Sequence, residues 1–333
     1  MGDVALVSPV LTSFRKVYPE VSVTMVTKPA YGMFFTHLEG LNIYTPDLKN
    51  RHKGLIGLFR LYNDIIKKGK IDYVIDLHNV IRSRILRFFF RLSGIRSSVI
   101  DKGRAEKRGV IKGKIRTPLK HTVERYCDTF GKAGFPIEAE KGPVLKFSPG
   151  INEKETGLRV LPGVFNIGIA PFAKHELKMW PEANMIRLLE LISEKHSVKY
   201  WLFGGMEESV GLHNFHEQVP GSTIVSGSLN LAEELEFMGT LDFMISMDSS
   251  NMHMAALSGT RVISIWGATD PITGFGAWQQ PSEYSIRIPA DELTCRPCTV
   301  YGKGKCRRGD FACMNRLTPE LVYEKILNNG LLT

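Results

Sequence analysis

One stretch of the chain carries residue types that suit anion binding: Asp248, Ser249, Ser250 and Asn251. Serine and asparagine are preferred at helix N-caps, and the free N–H groups of a first helical turn form, with the helix dipole, a seat for phosphate. His253 follows within the next turn and can donate a hydrogen bond into the same space. The alternative interpretation is an ordinary capped helix with a histidine in the core.

The residues around this turn predict the elements that position it. An apolar run from Phe243 to Met247 has the length and composition of a buried strand. A helical stretch from Met252 to about Ser258 ends at Gly259 and leads to a second apolar run, Val262–Trp266, and a glycine turn at 267–271. Both polar turns therefore follow the carboxyl ends of strands, the edge where open parallel sheets bind ligands.

Length and composition indicate a globular enzyme. The 333 residues are enough for two domains of about 150 residues, and 43% hydrophobic with 23% charged residues is typical of globular proteins. No apolar run has the length of a membrane span, and no signal peptide precedes the first predicted helix. We therefore expect a cytoplasmic protein.

Positive charge is concentrated in the first half of the chain. The net charge is +9, and residues 49–120 contain 20 Lys and Arg against 5 Asp and Glu, which indicates an anionic partner. The stretch Ile81–Arg96 alternates arginine with large apolar residues. This pattern is typical of a core helix whose arginines reach back to solvent, or of a helix lying on an anionic membrane surface. Nucleic acid is not expected, because no recognition motif accompanies the charge.

Alternating helical and strand patterns in the first half predict a doubly wound α/β domain. A helix is predicted over Ala5–Val17, and strands are predicted at Val21–Thr27, Ile43–Tyr44 and Ile71–Leu77. Such a domain normally has a strand before its first helix, so we expect the reading frame to extend upstream of Met1.

A segment rich in proline and glycine, Pro143–Gly163, is the predicted hinge. The second half repeats the alternation of strands and helices, with further strands predicted at Phe165–Ala170, Lys199–Phe203 and Thr223–Val225. An amphipathic helix from Thr318 to about Asn328 is predicted near the end of the chain.

Four cysteines lie close together in the sequence, at Cys295, Cys298, Cys306 and Cys313. Four thiols at this spacing allow a structural, tetrahedral zinc site, and a cytoplasmic location favours metal over disulfides. Free thiols or a redox pair are the alternatives.

Five segments together resemble glycosyltransferase family 9, the lipopolysaccharide heptosyltransferases. They are Met1–Pro9, Ile75–Ser83, His121–Arg125, Ala170–Glu182 and Met247–Pro271, in the order of the family. The resemblance implies an α/β fold of the GT-B type, with two Rossmann-like, doubly wound domains facing across a cleft. It implies that residues 1–150 bind the acceptor, that residues 160–315 bind a nucleotide sugar, and that residues 316–333 form a C-terminal helix.

The resemblance assigns catalytic roles to Asp3 and Lys178. Asp3 matches the general base that takes the proton of the acceptor hydroxyl in an inverting transfer, and Gly2 permits close backbone approach there. Without the resemblance, the favoured interpretation of Asp3 is a helix N-cap just before Ala5. Lys178 matches the lysine that neutralises the leaving diphosphate, so the reaction needs no metal ion or other cofactor. A solvated surface lysine is the alternative.

The donor site implied by the resemblance includes the polar turn. Asp248 is expected to accept hydrogen bonds from sugar hydroxyls, and His253 matches the family's histidine. Ser250 stands where many relatives have glycine, which leaves open how closely the backbone approaches the phosphates. The other candidate donor residues are Ser249, Asn251, Met252, Lys174, His175, Gly205, Glu207 or Glu208, Thr269 and Asp270.

The acceptor side is expected in the basic first half. His78, Asn79 and Arg82 follow a predicted strand and so lie at the ligand edge of its sheet. Arginine matches phosphate and carboxylate groups of a lipid A core bidentately, although each cation alone is also compatible with solvated surface charge. The further candidates are Gly2, Arg104, Lys107, Arg108, His121 and Arg125.

These expectations combine into an inverting glycosyltransferase. Its donor would be ADP-heptose, its acceptor the anionic, lipid-linked inner core of lipopolysaccharide, and its location the cytoplasmic face of the inner membrane, with peripheral contact. The alternatives are a nucleotide-sugar epimerase of the same fold and a non-catalytic sugar-nucleotide-binding relative.

Overall fold

The computed structural model describes residues 1–147, 150–151 and 153–333. They form two compact units: a larger unit of Met1–Ala5, Ala105–His121 and Lys141–Thr333, and a smaller unit of Leu6–Arg104 and Thr122–Glu140. The predicted hinge, Pro143–Gly163, includes residues 148, 149 and 152, which lie outside the described residues. The functional domain boundaries given above stay a prediction.

Strands and helices alternate along the described chain. The strands are β1 (Val23–Val26), β2 (Leu41–Tyr44), β3 (Tyr73–Asp76), β4 (Arg96–Val99), β5 (Phe165–Ala170), β6 (Val198–Leu202), β7 (Thr223–Ile224), β8 (Phe243–Met247), β9 (Arg261–Ile265) and β10 (Ser285–Ile286). The helices are α1 (Gly2–Ala5), α2 (Ser8–Val17), α3 (Pro29–Gly32), α4 (Gly54–Ile66), α5 (Ile81–Leu92), α6 (Arg104–Ile111), α7 (Thr122–Lys132), α8 (Glu153–Thr156), α9 (Glu182–Ser193), α10 (Ser209–Gln218), α11 (Leu231–Gly239), α12 (Ser250–Ser258), α13 (Ala312–Asn315) and α14 (Pro319–Asn328).

A six-stranded parallel sheet, in the order β10-β9-β8-β5-β6-β7, forms the centre of the larger unit. β5 pairs with β6 on one side and with β8 on the other. The strand order therefore reverses between β5 and β8, and the carboxyl ends of these two strands are the place where doubly wound sheets bind ligands. β8 is buried along its whole length, as a parallel strand covered on both faces must be.

The predicted strands at Phe165–Ala170 and Phe243–Met247 are confirmed with the same bounds. Helix α12 begins at Ser250, two residues before the predicted start, and ends at Gly259 with a left-handed φ of 101°. The strands β4 and β10 were not predicted. β4 has the sequence Arg-Ser-Ser-Val and so lacks an apolar run, and β10 has only two residues.

The single helix predicted over Ala5–Val17 is wrong. The structure has α1 at Gly2–Ala5 and α2 at Ser8–Val17 instead. Pro9 explains the division, because proline has no N–H to donate and its ring clashes with the carbonyl four residues earlier. Proline is tolerated in a first turn, so α2 begins just before it.

The smaller unit contains two parallel strand pairs, β1 with β2 and β3 with β4. Helices α4 and α5 share a core of Leu58, Leu61, Ile65 and Phe90. In α5, Phe90 is buried and Ile85, Leu86 and Phe89 pack partly buried against the same core, so one face of this helix is a core face. The alternative interpretation, a helix lying on an anionic membrane surface, stays a prediction. Within the described ranges, no helix is both long enough and apolar enough to cross a membrane.

Glu234 of α11 gives a prediction about pH. Burial raises the pKa of its carboxyl from 4.5 to about 7. Between these values the folded protein keeps a proton that the unfolded chain has lost, so this group makes stability fall as the pH rises through that window. We expect Glu234→Gln to reduce the fall, measured as the urea midpoint at about pH 5 and about pH 7.5. Glu217→Gln, at an exposed carboxyl of α10, is the control; equal pH dependence in the two variants would contradict the prediction.

Candidate active site

An ion pair lies at the switch point of the large sheet. The loop after β5 carries Lys178, and the turn after β8 carries Asp248; Lys178 Nζ lies 2.8 Å from Asp248 Oδ2. Thr269, which follows β9, donates its hydroxyl to the same oxygen at 2.8 Å. The lysine side chain is 17% exposed and the aspartate side chain 8%. The sheet therefore brings three loops, distant in sequence, to one partly buried pair of charges.

The amino end of α12 lies beside this pair. Ser249 is the N-cap, but its hydroxyl accepts no hydrogen bond from the first turn of the helix and lies 3.3 Å from the hydroxyl of Ser246 instead. Uncapped N–H groups at a helix start, together with the helix dipole, attract anions. The phosphate seat predicted at Ser249–Met252 lies at this helix start, next to Asp248 and its partner Lys178, and its role in binding stays a prediction.

His253 is buried in α12. Burial lowers its pKa to about 3, with a further lowering by His121 and an opposing effect of Asp3, so the imidazole is neutral at pH 7. Its Nδ1 has no hydrogen-bond partner among the described residues. A neutral imidazole can donate one hydrogen bond but brings no charge to a diphosphate.

Helix α1 packs directly against His253. A Cβ at Gly2 would come within 2.8 Å of the imidazole Cδ2, so a residue without a side chain is needed there. Asp3 is the next residue and is exposed. It lies near enough to His253 for its charge to raise the pKa of that imidazole. The predicted base, the predicted histidine and the glycine between them therefore belong to one region of the larger unit.

Part of the predicted acceptor set also lies in the larger unit. His121 Nε2 lies 2.9 Å from the carbonyl oxygen of Gly276, so this nitrogen carries the proton, and the ring packs on Trp278. Lys107 is buried with its Nζ 3.8 Å from the centre of the Phe275 ring. Both side chains thus anchor the segment Ala105–His121, which also contains Arg108, to the loop after β9.

The other acceptor candidates lie in the smaller unit. An open pocket of about 510 Å³ is lined by His78, Asn79, Val80, Ile81, Arg82, Arg84 and Arg104. Arg125 lies elsewhere, buried in α7, where a direct contact with an acceptor is not favoured. The pocket supports the prediction of an anion-binding surface for His78, Asn79, Arg82 and Arg104 only.

Asp76, which sequence analysis missed, holds the turn that forms this pocket. One carboxylate oxygen accepts the backbone N–H groups of His78 at 2.9 Å and Asn79 at 2.8 Å, and the other accepts Arg87 Nε at 2.9 Å. Asn79 has a φ of 45°, a left-handed conformation that asparagine tolerates better than most residues. The sequence signal that could have identified this role is an aspartate at the end of a strand, here the last residue of β3.

The remaining donor candidates follow β5 and β6. Lys174 is exposed, and the pKa of His175 is lowered by burial and by the charges of Lys178, Lys303 and Lys174. The backbone N–H of Gly205 donates to Glu208 Oε2 at 2.7 Å, so this carboxylate is already hydrogen-bonded within the turn. Glu207 is exposed. Between the two glutamates, Glu207 is the more available for a ribose hydroxyl.

Arg296 is a second residue that sequence analysis missed. It is 2% exposed and donates hydrogen bonds to the carbonyl oxygens of Gly267 at 2.6 Å, Thr269 at 2.9 Å, Trp266 and Ile288. It also lies 3.5 Å from Asp270. A buried arginine thus fixes the backbone of the loop that carries Thr269, and no local pattern reveals such a role.

The four clustered cysteines surround a cavity of about 10 Å³ next to Arg296. They are free thiols, and burial raises the pKa of Cys313 to about 11. Zinc needs thiolates in tetrahedral contact. Nowhere in the described residues are three His, Cys, Asp or Glu side chains grouped to hold a metal ion, so the zinc hypothesis has no geometric support.

Gly302 controls the position of Lys178. Its φ is 75°, and a Cβ there would come within 2.6 Å of Lys178 Cγ. The backbone of this loop therefore lies directly on the stem of the lysine. No pattern in the sequence indicates this contact, because the two residues lie in different loops.

A lysine beside a helix start, at the switch point of a parallel sheet, defines the class: a doubly wound α/β domain with the arrangement that binds anionic ligands in such folds. Comparison with known families gives the particular assignment. The model of glycosyltransferase family 9 (heptosyltransferase) matches residues 60–303, most of the chain. The chain belongs to this family and is a glycosyltransferase, which confirms the resemblance noted in the sequence.

Curated relatives agree with this assignment. The chain is 25% identical over 281 residues to lipooligosaccharide heptosyltransferase 2 of Haemophilus influenzae, covering 78% of this chain and 76% of the relative. It is 22% identical over 341 residues to the enzyme of the same name from Campylobacter jejuni, covering 98% and 95%.

Solved structures confirm the predicted GT-B fold. A family 9 glycosyltransferase from Veillonella parvula has a TM-score of 0.73 at 19% identity, with coverage of 100% of this chain and 94% of that one. The E. coli heptosyltransferase WaaC, solved with ADP, has a TM-score of 0.68 at 18% identity, with coverage of 99% and 97%.

Gly302 gives a test of the Lys178 geometry. We expect Gly302→Ala to displace the lysine and to lower turnover about 10²-fold, the usual effect of a misplacement near 1 Å. Gly304→Ala is the matched control, because Gly304 is also left-handed at 105° but has nothing within 4 Å of a Cβ. Both glycines have a left-handed φ, so both alanine variants carry backbone strain, and only Gly302→Ala adds a clash with Lys178. Equal turnover of the two, measured with thermal melts to exclude unfolding, would contradict the role of Gly302.

Proposed function

We propose that the protein transfers a heptose from ADP-heptose, with inversion, to the inner core of a lipopolysaccharide. The observation that carries the proposal is the Lys178–Asp248 pair beside the uncapped start of α12. The names of the relatives support it: two are lipooligosaccharide heptosyltransferases, and one E. coli neighbour was solved with ADP-2-deoxy-2-fluoro heptose.

The donor diphosphate is proposed to lie over the N–H groups of Ser250, Asn251 and Met252. The ammonium group of Lys178, which is paired with Asp248, then also interacts with the diphosphate. It stabilises the negative charge that develops on the leaving ADP. This lysine supplies the charge for which other enzymes use a metal ion, so we propose a metal-independent reaction. Asp248 keeps Thr269 as a donor and offers its second oxygen to a sugar hydroxyl.

Asp3 is proposed as the general base. Its carboxylate is exposed and can accept the proton of an acceptor hydroxyl while that oxygen attacks the anomeric carbon. The leaving ADP departs from the opposite face of the sugar, which inverts its configuration. His253, neutral because of its burial, would donate one hydrogen bond to the donor without competing with Asp3 for the proton.

The acceptor is proposed to bind through the basic pocket of the smaller unit. His78, Asn79, Arg82 and Arg104 line it, and arginine forks match phosphate and keto-sugar carboxylate groups. An anionic, lipid-linked acceptor would bring the enzyme into peripheral contact with the cytoplasmic face of the inner membrane. No nucleic acid partner is proposed.

The identity of the donor is tested by titrating the protein with ADP-heptose and with a panel of other ADP-, UDP- and GDP-sugars in a calorimeter. We expect ADP-heptose to bind most tightly. Incubating it with enzyme alone and with lipid A core acceptor separates transfer from epimerisation, since an epimerase would change the sugar without acceptor. No detectable binding of ADP-heptose would overturn the proposal.

The two catalytic roles predict different kinetic effects. Asp3→Asn removes the proton acceptor and should lower turnover about 10²-fold or more, with donor affinity kept. Lys178→Met should weaken donor binding and lower turnover together, because it removes charge from both the ground state and the transition state. Lys195→Met, at an exposed lysine after α9, is the control for loss of charge. Near-normal turnover of Asp3→Asn would show that Asp3 is not the base.

A further inference from the structure

Two neighbouring helices of the smaller unit leave large apolar side chains in solvent. In α4 these are Leu55, Ile56 and Phe59, and in α5 they are Ile81, Phe88 and Leu92. Their exposed fractions run from 48% for Phe59 to 76% for Ile81. The three members in α5 are spaced seven and then four positions apart, so they form one stripe along the helix.

The two stripes join into a single surface. The ring of Phe89 lies between them, 5.4 Å from the ring of Phe59 and 6.1 Å from the ring of Phe88. Tyr62 and Ser93 tie the helices together with a hydrogen bond between their hydroxyls of 2.5 Å. We call the six exposed apolar residues, with Phe89, the α4–α5 surface.

This surface is not a misplaced part of the core. Leu58, Leu61 and Ile65 of α4 and Phe90 of α5 fill the interior side of the same helices. Each helix thus has one apolar face inside and another outside. Isolated exposed apolar residues are common, but a contiguous group of this size on a soluble unit indicates a partner.

The charged residues around the surface indicate the charge of that partner. Exposed Lys53, Arg60, Arg84 and Arg91 lie on the same two helices or next to them. Helix α5 contains no acidic residue, and the one carboxylate of α4, Asp64, is already paired with Arg51 and His52. The partner must be apolar and anionic at once, which is the character of the interface of an anionic lipid bilayer.

The surface is continuous with the basic pocket. Ile81, the first residue of α5, is exposed on the surface and also lines the pocket with Arg82, Arg84 and Arg104. A helix lying on a bilayer would therefore place the pocket at the level of the lipid headgroups. That is where the phosphates of a lipid-linked acceptor are found.

We propose that the α4–α5 surface inserts into the anionic lipid interface and presents the basic pocket to the headgroup of a membrane-held acceptor. The cations bring the unit to the bilayer, and the exposed apolar side chains then bury themselves among the acyl chains. The identity of the acceptor as a lipid-linked molecule rests on the proposed function. The binding of the α4–α5 surface to an anionic bilayer does not depend on that function.

Flotation with vesicles tests the docking. Phosphatidylcholine vesicles with and without phosphatidylglycerol are used, with the full chain and a variant carrying Ile56→Gln, Phe88→Gln and Leu92→Gln. We expect the wild type to float with the anionic vesicles, less so at high salt, and the variant to bind at least about tenfold more weakly. The control carries Val17→Gln and Val210→Gln, two exposed apolar residues of α2 and α10, and should float like the wild type.

Donor binding, measured by calorimetry, and a thermal melt accompany every variant. Weaker flotation with unchanged donor binding and melting supports the proposal. Flotation of the triple variant equal to that of the wild type would overturn it. So would a wild type that ignores vesicles but forms a dimer that the triple variant abolishes, because the surface would then cover a second copy. Failure of ADP-heptose to bind would contradict the proposed function but would not change the interpretation of the flotation result.

Discussion

The pairing of Lys178 with Asp248 is the interaction on which the site depends. A lysine of this kind is useful for binding an anion only if it is held in place without losing its charge, and a partly buried carboxylate at 2.8 Å does both. The pair exists because the parallel sheet reverses its order between β5 and β8. The loops after these adjacent strands must meet at the carboxyl edge, although their residues are far apart in the chain.

Several other features serve to keep this pair in place. Thr269 donates to the same carboxylate oxygen, and Arg296 fixes the backbone of the loop that carries Thr269. Gly302 leaves room for the stem of the lysine. Burying an arginine carries a large desolvation cost, which is offset here because its donors reach four carbonyl oxygens and its charge lies near Asp270. The rigidity of the loop is therefore maintained by a charged group without direct access to solvent.

The two compact units carry different kinds of chemistry. The larger unit contains the uncapped helix start, Lys178, Asp248 and Asp3, which suit a charged donor and a proton transfer. The smaller unit contains the basic pocket and the exposed apolar faces of α4 and α5, which suit an anionic, amphipathic partner. The basic stretch of the sequence is shared between the units, because residues 49–104 belong to the smaller unit and residues 105–120 to the larger one. Family membership identifies a glycosyltransferase, which must bind a donor and an acceptor.

The sequence by itself determined the local elements and the family. The strand Phe243–Met247, the polar turn after it and the helix that follows are readable because each depends on neighbours along the chain. The break before Pro9 was equally local, yet the strong apolar period of Ala5–Val17 concealed it. Only the tertiary structure decided that Arg296 is a buried anchor beside cysteines with no metal geometry, that Arg125 is buried, and that Gly302 lies on Lys178. These facts depend on atoms that meet through space between residues distant in the chain, and no local pattern of residues identifies which charged side chains the fold will enclose.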